Sequence, residues 1–556
     1  MSLTRLFRKK SLDVILKQGG DGEHSGLNKV LTVKDLTFFG IAAIIGGGTF
    51  SAIGNACFSG GPGVILLYVI CAIACGFTAM CYAEFASRVP VSGSAYTYAY
   101  VSFGELFAWI IGWALLMEYS IGNIYIAFSW SGYFTNLLES FGLHLPEWLT
   151  INYKSAHAAF LEHKAGEGML AWQNAPEIAG LKIIFDMPAV VVNILITYLI
   201  YKGTSESKNV SNFMVYLKLI IIVLVIIVGA FYIDIDNWTP FMPNGFKGVM
   251  AGVSAVFFAY IGFDAVSTLA EESKNPQRDL PKGMIYSLVV CTIVYIILAL
   301  VLTGMVKYDL LGVSDPLAEI FALKGIKWML FIVSIAAVAA MTSVMLVFQM
   351  GQPRIWMTMS RDGLMPKKFA EIHPKYKTPG FATIVTGFVV GLPIFFTDEN
   401  FVLDFTSIGT LFAFVLVCGG VLMLSPTEES ESPTKGKFRI PYINSKFIFP
   451  VLVVGSGILI QYLFPTYFAE ACSLTKENLA TNLPLIVFFI FTLIMTVMAF
   501  VKKLSLIPLL GLISCCYLLT GMAVSNWKWF GVWLVIGLGV YFAYGFRNSK
   551  LNFVKK

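Results

Sequence analysis

The sequence predicts an all-α integral membrane protein in which two five-helix units of opposite orientation, an inverted 5+5 repeat, are followed by four more helices. Three observations carry that prediction. Of the 556 residues, 57% are hydrophobic and only 13% charged, whereas a soluble domain carries about 25% charged residues. Apolar runs of about 18 residues or more, each long enough to cross a hydrocarbon core, occur about 14 times along the chain. The first and the sixth of these runs are interrupted by glycine, at matching places in consecutive units of five. That is the pattern of two inverted repeats enclosing a site near the membrane midplane.

The elements follow in order. Residues 1–36 are basic and polar, show no apolar stretch of a cleavable signal peptide, and are expected in the cytoplasm. The apolar runs lie near 37–58, 63–86, 106–134, 183–201, 211–233, 248–269, 284–306, 328–350, 380–396 and 401–424, then 448–465, 484–501, 504–522 and 528–545. The first ten form a core, 37–425, with repeats at about 37–233 and 248–424 and an external loop at 135–182. A cytoplasmic loop, 426–447, leads to the four additional helices of 448–546, and a cytoplasmic tail, 547–556, closes the chain. With this topology 29 of the 39 Lys and Arg residues fall on the cytoplasmic side, 9 fall outside, counting Lys528 at the outer edge of the last run, and Lys218 alone lies inside a run. The asymmetry is the positive-inside bias. The net charge of +6 reflects that bias and gives no reason to expect a nucleic-acid partner.

The external loop is acidic and aromatic and is expected to form a helical cap. His144, His157 and His163 lie in it without a recurring ligand spacing, so they read as surface histidines and not as a metal site. His24 and His373 fall in cytoplasmic segments, and no run contains a histidine. Of nine cysteines, Cys57, Cys71, Cys75, Cys81, Cys291, Cys515 and Cys516 lie in or at the edges of runs, Cys418 is flanked by apolar residues, and Cys472 sits in an outside loop. With no CxxC pattern they read as small packing residues.

The stretch "AAIIGGGTFSAIG", residues 42–54, spends three consecutive glycines inside the first run. Each costs about 1 kcal/mol relative to alanine in a helix interior, and lipid offers no water to a loosened backbone. Unwinding at Gly46, Gly47 and Gly48, beside the polar Thr49, bares N–H groups at the start of the following half-helix. Such a terminus receives an anionic carboxylate. The second break is in "SAVFFAYIGFDAVSTLAEESKNPQRDLP", residues 254–281, at Gly262 and Asp264. Carbonyls freed at both breaks receive an ammonium. One carboxylate receptor beside one ammonium receptor makes a socket for an α-amino acid. Close packing of small residues is the alternative reading of the glycines.

Three ionisable residues, Glu118, Lys218 and Asp264, fall deep in the runs, where a charge costs about 2.5–3.5 kcal/mol and marks function by default. Lys218 lies nine residues past Asn209, roughly 13 Å along a helix, so snorkelling to the cytoplasmic interface is its alternative role. Asp264 either serves the site or caps the second half-helix. Glu271, Arg278 and Asp279 lie at the cytoplasmic end of the sixth run. They read as inner-gate or loop-ordering charges, or as a solvated loop.

The segments "IAAIIGGGTF", "FFAYIGFDAVSTLAEESKNPQRDLPKG" and "PRIWMTMSRDGLMP" resemble those of cationic amino acid transporter (CAT)-like permeases of the amino acid–polyamine–organocation (APC) superfamily. The resemblance runs from "LFRKKSLDVIL" to "FGVWLVIGLGVYFAYG". It implies a LeuT-type fold of ten core helices plus four, and a multi-pass plasma membrane protein with both termini cytoplasmic. It also implies secondary active amino acid transport by alternating access, with a proton as coupling ion and no cofactor. No HExxH, GxSxG or P-loop pattern points to an enzyme. The chain departs from the family at Gly47–Gly48–Thr49, where Ala/Thr–Gly–Ile is usual, and Thr49 would add a hydroxyl contact.

Carried over position by position, the resemblance places the substrate carboxylate on the N–H groups of Gly47 and Gly48. It places the ammonium on carbonyls of Ile44, Phe258 and Ile261, with Ala259 beside them. Phe258 would close over the substrate as an aromatic gate, or simply pack. Lys218 would occupy the sodium position of relatives, against first-run carbonyls and polar groups near Thr342 and Ser343. Glu118 would contact the substrate side chain, take part in proton coupling, or balance Lys218. Met341 would shorten the side-chain pocket, or pack in the core. An amino acid or polyamine exchanger without proton coupling is the alternative within transport. A transporter-like receptor is the alternative outside it, and the short cytoplasmic ends argue against that.

Overall fold

A capping box starts the first helix. The Thr32 hydroxyl accepts from Asp35 N–H, and the Asp35 carboxylate accepts from Thr32 N–H at 2.9 Å, so two of the helix's orphan donors are satisfied reciprocally. In the computed structural model, which describes residues 6–10, 27, 29–163, 166–178, 180–313, 315–423, 438–465, 467–471 and 479–552, this helix, α1, spans Val33–Ile44. Ile45 turns extended, and after Gly46 and Gly47 the chain resumes as a π-helical turn, Gly48–Ala52, that continues into α2, Ile53–Gly60. The expectations for residues 1–5, 11–26 (with His24) and 28, for 426–437, for Cys472 and for 553–556 lie outside the described residues.

The remaining helices of the first half are α3 (Val64–Arg88), α4 (Ala95–Ser102), α5 (Glu105–Ser140), α6 (Tyr153–Leu161), α7 (Glu167–Asn174), α8 (Met187–Lys202) and α9 (Thr204–Ala230). The external loop is thus largely helical, as expected, but it also carries a short antiparallel pair, β1 (Glu177–Ile178) and β2 (Leu181–Lys182). A small core of its own, Ala156, Ala171, Ala175 and Ile184 with Trp148 and Trp172, holds it together.

The second half is also helical among the described residues. It comprises α10 (Gly245–Ala251), α11 (Val253–Tyr260), a 3-10 helix (Phe263–Glu272), α12 (Pro276–Met305), α13 (Pro316–Leu323), α14 (Lys327–Arg361), α15 (Gly380–Gly391) and α16 (Glu399–Met423). Then come α17 (Ser445–Leu463), α18 (Tyr467–Ala471), α19 (Leu479–Lys502), α20 (Leu506–Thr520) and α21 (Val524–Val540). Among the described residues nine helices are long and apolar enough to cross a membrane, or ten if the pair Gly245–Ala251 and Ala255–Glu272, bent by 46°, is one span. The difference from about 14 has a physical reason. Met187–Lys202, Gly380–Phe395 and Leu506–Thr520 are apolar but shorter, and the first run is divided at its glycines.

Burial orders the helices. The most apolar window of α5 is 89% buried and that of α17 only 6%, so α5 is central and α17 lies at the rim of the bundle. Helix α5 packs lengthwise on α14 and α16, while α1 packs on α9, α12 and α14. The described chain ends meet at one face of the bundle. Arg8 bonds Asn552 at 2.9 Å, Lys10 pairs with Asp362 at 2.5 Å, and Ser549 donates to Glu105 at 2.6 Å.

A site between two broken helices

The glycines of the first break meet two demands at once. No backbone carbonyl among the described residues accepts from the N–H groups of Gly46, Gly47 or Gly48, whereas the next two residues, Thr49 and Phe50, both donate to the Gly46 carbonyl. Three successive donors are therefore left open at the start of a half-helix. Each glycine also lies where a side chain would collide. A Cβ on Gly46 would meet Val344, one on Gly47 would meet Ile126 and Tyr125, and one on Gly48 would lie 2.4 Å from the Ala259 Cα. Unwinding and close packing, weighed above as alternatives, coexist.

The last of those contacts brings the two breaks together. At the second break Ile261 turns extended and Gly262 takes φ +118°, a conformation suited to glycine, with a Cβ position 2.5 Å from that of Ala43. Tyr295 of α12 joins both breaks. Its hydroxyl accepts from the Thr49 hydroxyl at 3.1 Å and lies 2.7 Å and 2.8 Å from the Ile44 and Ala259 carbonyls, to which it can donate in turn. Above Gly47, Tyr125 and Phe258 form an edge-to-face pair with centroids 4.8 Å apart. Met341 is fully buried one helical turn before Val344, the residue that packs on Gly46.

Lys218 is fully buried, and its ammonium donates to the carbonyls of Ile41 (3.2 Å), Ala42 (3.1 Å) and Ile45 (2.6 Å) and to the Ser343 hydroxyl (2.9 Å). This arrangement corrects the snorkelling alternative, because the side chain turns inward to the carbonyl end of α1. It also separates two neighbours that the sequence placed together. Ser343 touches Lys218, while Thr342, the next residue round the helix, accepts from Trp130 Nε1 at 2.9 Å.

Glu118 is fully buried, with the Thr410 hydroxyl as the hydrogen-bonding group beside its carboxyl. Its charged neighbour is Asp264 and not Lys218, so it does not balance Lys218 by contact. Gly262 precedes the second half-helix, and the Asp264 carboxyl accepts from Tyr119 at 3.3 Å and lies against the backbone N–H groups of Gly262, Asp264 and Ala265, a placement that suits capping.

At the cytoplasmic end assigned to the sixth run, Glu271 pairs with Arg361 through contacts of 2.9 and 3.0 Å, and Glu272 pairs with the buried Arg354 at 2.6 and 3.1 Å. Arg278, expected among these charges, is exposed and joins no ion pair among the described residues, and Asp279 is buried at the start of α12. Sequence reasoning missed Tyr295, Glu272, Arg354 and Arg361. The signal for the arginines was present, since "PRIWMTMSRDGLMP" carries both of them; for Tyr295 there was only one tyrosine in an apolar run.

The amino acid permease family profile matches residues 31–495, and a profile for the C-terminus of such permeases matches 504–549. The branched-chain amino acid permease BcaP of Bacillus subtilis (strain 168) is 38% identical over 98% of this chain and 99% of its own length. The methylthioribose transporter of the same organism is 40% identical over 83% of this chain and 94% of its own. The chloroplastic cationic amino acid transporter 9 of Arabidopsis thaliana is 36% identical over 77% of this chain and 73% of its own. The chain belongs to the amino acid permease family, as a CAT-like member of the APC superfamily.

Proposed function

We propose that the protein is a secondary active amino acid transporter that couples uptake to protons and works by alternating access in a LeuT-type fold. The observation that carries the reading is the run of open N–H groups at Gly46, Gly47 and Gly48, facing a second break only one Cβ contact away. In this reading the N–H groups of Gly47 and Gly48 hold the substrate carboxylate, and carbonyls at Ile44, Phe258 and Ile261 hold its ammonium. Thr49 and Ala259 complete the floor, and Phe258 with Tyr125 closes over it. Lys218 stands where a bound cation would stabilise the carbonyl end of α1, and its proton is the coupling ion. Glu118, beside Asp264, meets the substrate side chain or passes the proton onward. Glu271 and Arg361 form part of an inner gate, and Met341 limits side-chain length. The fourteen apolar runs are then fourteen crossings of the plasma membrane, with both ends in the cytoplasm.

The test is uptake of labelled alanine into proteoliposomes. An inwardly directed pH gradient should accelerate uptake without Na⁺, and Lys218→Ala should abolish accumulation while counterflow still reports a folded carrier. Lys218→Arg should fail as well, because a guanidinium is permanently protonated and too broad for the compact four-oxygen cage. Full pH-driven uptake in the Arg variant removes Lys218 from coupling and leaves an exchanger.

A further inference from the structure

The segment leading into α17 reaches the rim of the bundle at the face where the described chain ends meet. The Phe438 carbonyl accepts from the Ser87 hydroxyl at 2.7 Å, and the Ile440 N–H donates to Glu84 at 3.2 Å, both at the end of α3. Residues 442–446 then run alongside the turn between α19 and α20. Ser445 N–H donates to the Leu504 carbonyl at 3.0 Å, Leu506 N–H to the Ile443 carbonyl at 2.8 Å, and the Tyr442 hydroxyl to the Lys503 carbonyl at 2.6 Å. This pairing gathers Lys446, Lys502 and Lys503 at one junction. Lys502 and Lys503 are exposed and Lys446 is partly so. None of the three pairs with a carboxylate among the described residues. Beside them the surface turns apolar. The Lys446 ammonium lies 5.1 Å and 4.9 Å from the ring centroids of Phe447 and Phe500, which meet edge to face and are 67% and 49% exposed. The helices that carry these rings, α17 and α19, have their most apolar windows only 6% and 17% buried.

We propose that this junction docks an anionic phospholipid, its phosphate held by Lys446, Lys502 and Lys503 and its acyl chains laid along α17 and α19. Three ammonium groups without a carboxylate partner, at the ends of two exposed apolar helices, match such an amphiphile in charge and in polarity at once. A soluble anion would answer the lysines and leave Phe447, Phe500 and both apolar faces uncovered. A neutral lipid would cover the faces and leave the charge unanswered. The contacts to the two rings hold the Lys446 ammonium beside aromatic groups, the residue type that sits where headgroups meet acyl chains. The site requires only that the chain spans a membrane, so it stands or falls apart from the transported substrate and its coupling.

The test uses full-length protein in a neutral detergent, titrated with dioleoylphosphatidylglycerol, with dioleoylphosphatidylcholine or with inorganic phosphate. The readouts are the thermal midpoint and the phosphatidylglycerol retained per protein in native mass spectrometry. Phosphatidylglycerol should raise the midpoint by several degrees more than phosphatidylcholine, because a ligand that binds only the folded state stabilises it. The difference should shrink at high salt. Lys446→Gln combined with Lys502→Gln and Lys503→Gln should weaken phosphatidylglycerol binding at least about tenfold. The corresponding arginine triple keeps the charge and should bind as the parent does. Lys307→Gln combined with Lys324→Gln and Lys327→Gln removes the same charge from exposed positions at the opposite end of the bundle, and should leave binding unchanged. Equal effects of the two lipids on the unmutated protein, or an equal shift with inorganic phosphate, overturn the site. So do equal losses in the two glutamine triples, which would assign the effect to overall charge.

Discussion

The two broken helices are opened by the same residue type and end up with opposite chemistry. At the first break the chain leaves α1 through an extended Ile45, crosses Gly46 and Gly47, and restarts as a π-helical turn. Its restart presents open N–H groups, and Lys218 donates to the carbonyls of Ile41, which also accepts from Ile45 N–H, of Ala42 and of Ile45. At the second break Gly262 turns at φ +118° and the chain restarts as a ten-residue 3-10 helix. The charged groups near that end are acidic: Asp264, which accepts from Tyr119, has Glu118 as a neighbour. A glycine break only frees backbone groups. Which groups stay free depends on the side chains that neighbouring helices bring to them.

The largest test of that contrast is Gly262→Ala. The added Cβ would lie 2.5 Å from Ala43 Cβ at φ +118°; strain of about 1–3 kcal/mol and overpacking of similar size follow. The expected outcome is loss of monodisperse protein, or a fall of many degrees in the thermal midpoint. A variant as stable as the parent would show that this backbone is not required.

At the first break two neighbouring glycines should part company. Gly48→Ala pushes a methyl against the Ala259 backbone at 2.4 Å, whereas Gly47→Ala meets the side-chain ends of Ile126 and Tyr125 at 2.6 and 2.9 Å, which can shift. Calorimetry should find alanine affinity reduced at least about 100-fold for Gly48→Ala and roughly 10-fold for Gly47→Ala, a difference of about 1.4 kcal/mol. Equal losses would argue that packing alone set these positions.

Substrate analogues probe the open donors directly. Alaninamide, or the decarboxylated ethylamine, should bind roughly 10- to 100-fold more weakly than alanine, in line with about 1.5–3 kcal/mol for hydrogen bonds to a charged group. Equal affinity for the amine would remove the carboxylate receptor from the first break. A smaller effect is expected at the bridge. Tyr295→Phe leaves the Ile44 and Ala259 carbonyls and the Thr49 hydroxyl without their partner, at about 1–3 kcal/mol. In a double-mutant cycle it should couple to Thr49→Val, and strict additivity would show that Tyr295 does not link the breaks.

The smallest effect is at the capped start of α1, outside the spans. Burial pushes the Asp35 carboxyl up, but hydrogen bonds from Thr32 and Asn212, with Lys208 nearby, outweigh it and hold the group below its ordinary range. Its contribution is therefore complete above the unfolded carboxylate value of about 3.9 and is lost as pH falls through the folded one. Asp35→Asn should lower stability by no more than about 1 kcal/mol at pH 7, and thermal midpoints of variant and parent should converge near pH 3. A gap that persists in acid would assign the effect to packing.

What the sequence by itself determined is local. Apolar runs become helices because every backbone group in lipid must find its partner nearby, and all of the anticipated runs carry helix in the described residues. Three adjacent glycines and a Gly262–Asp264 pair marked both breaks for the same reason, since backbone preference is a property of the residue itself. Lys218 could be named as a functional residue because a charge in an apolar run is costly wherever it sits. The tertiary structure decided everything that depends on helix rotation and on contacts between distant segments. Ser343 and not Thr342 meets Lys218, because adjacent residues point about 100° apart around a helix. Tyr295 lies 251 residues from the Ile44 carbonyl it meets, and Arg354 lies 82 residues from Glu272. Neither partner could be chosen before the helices were packed, because each helix offers several faces and only packing selects which face turns inward.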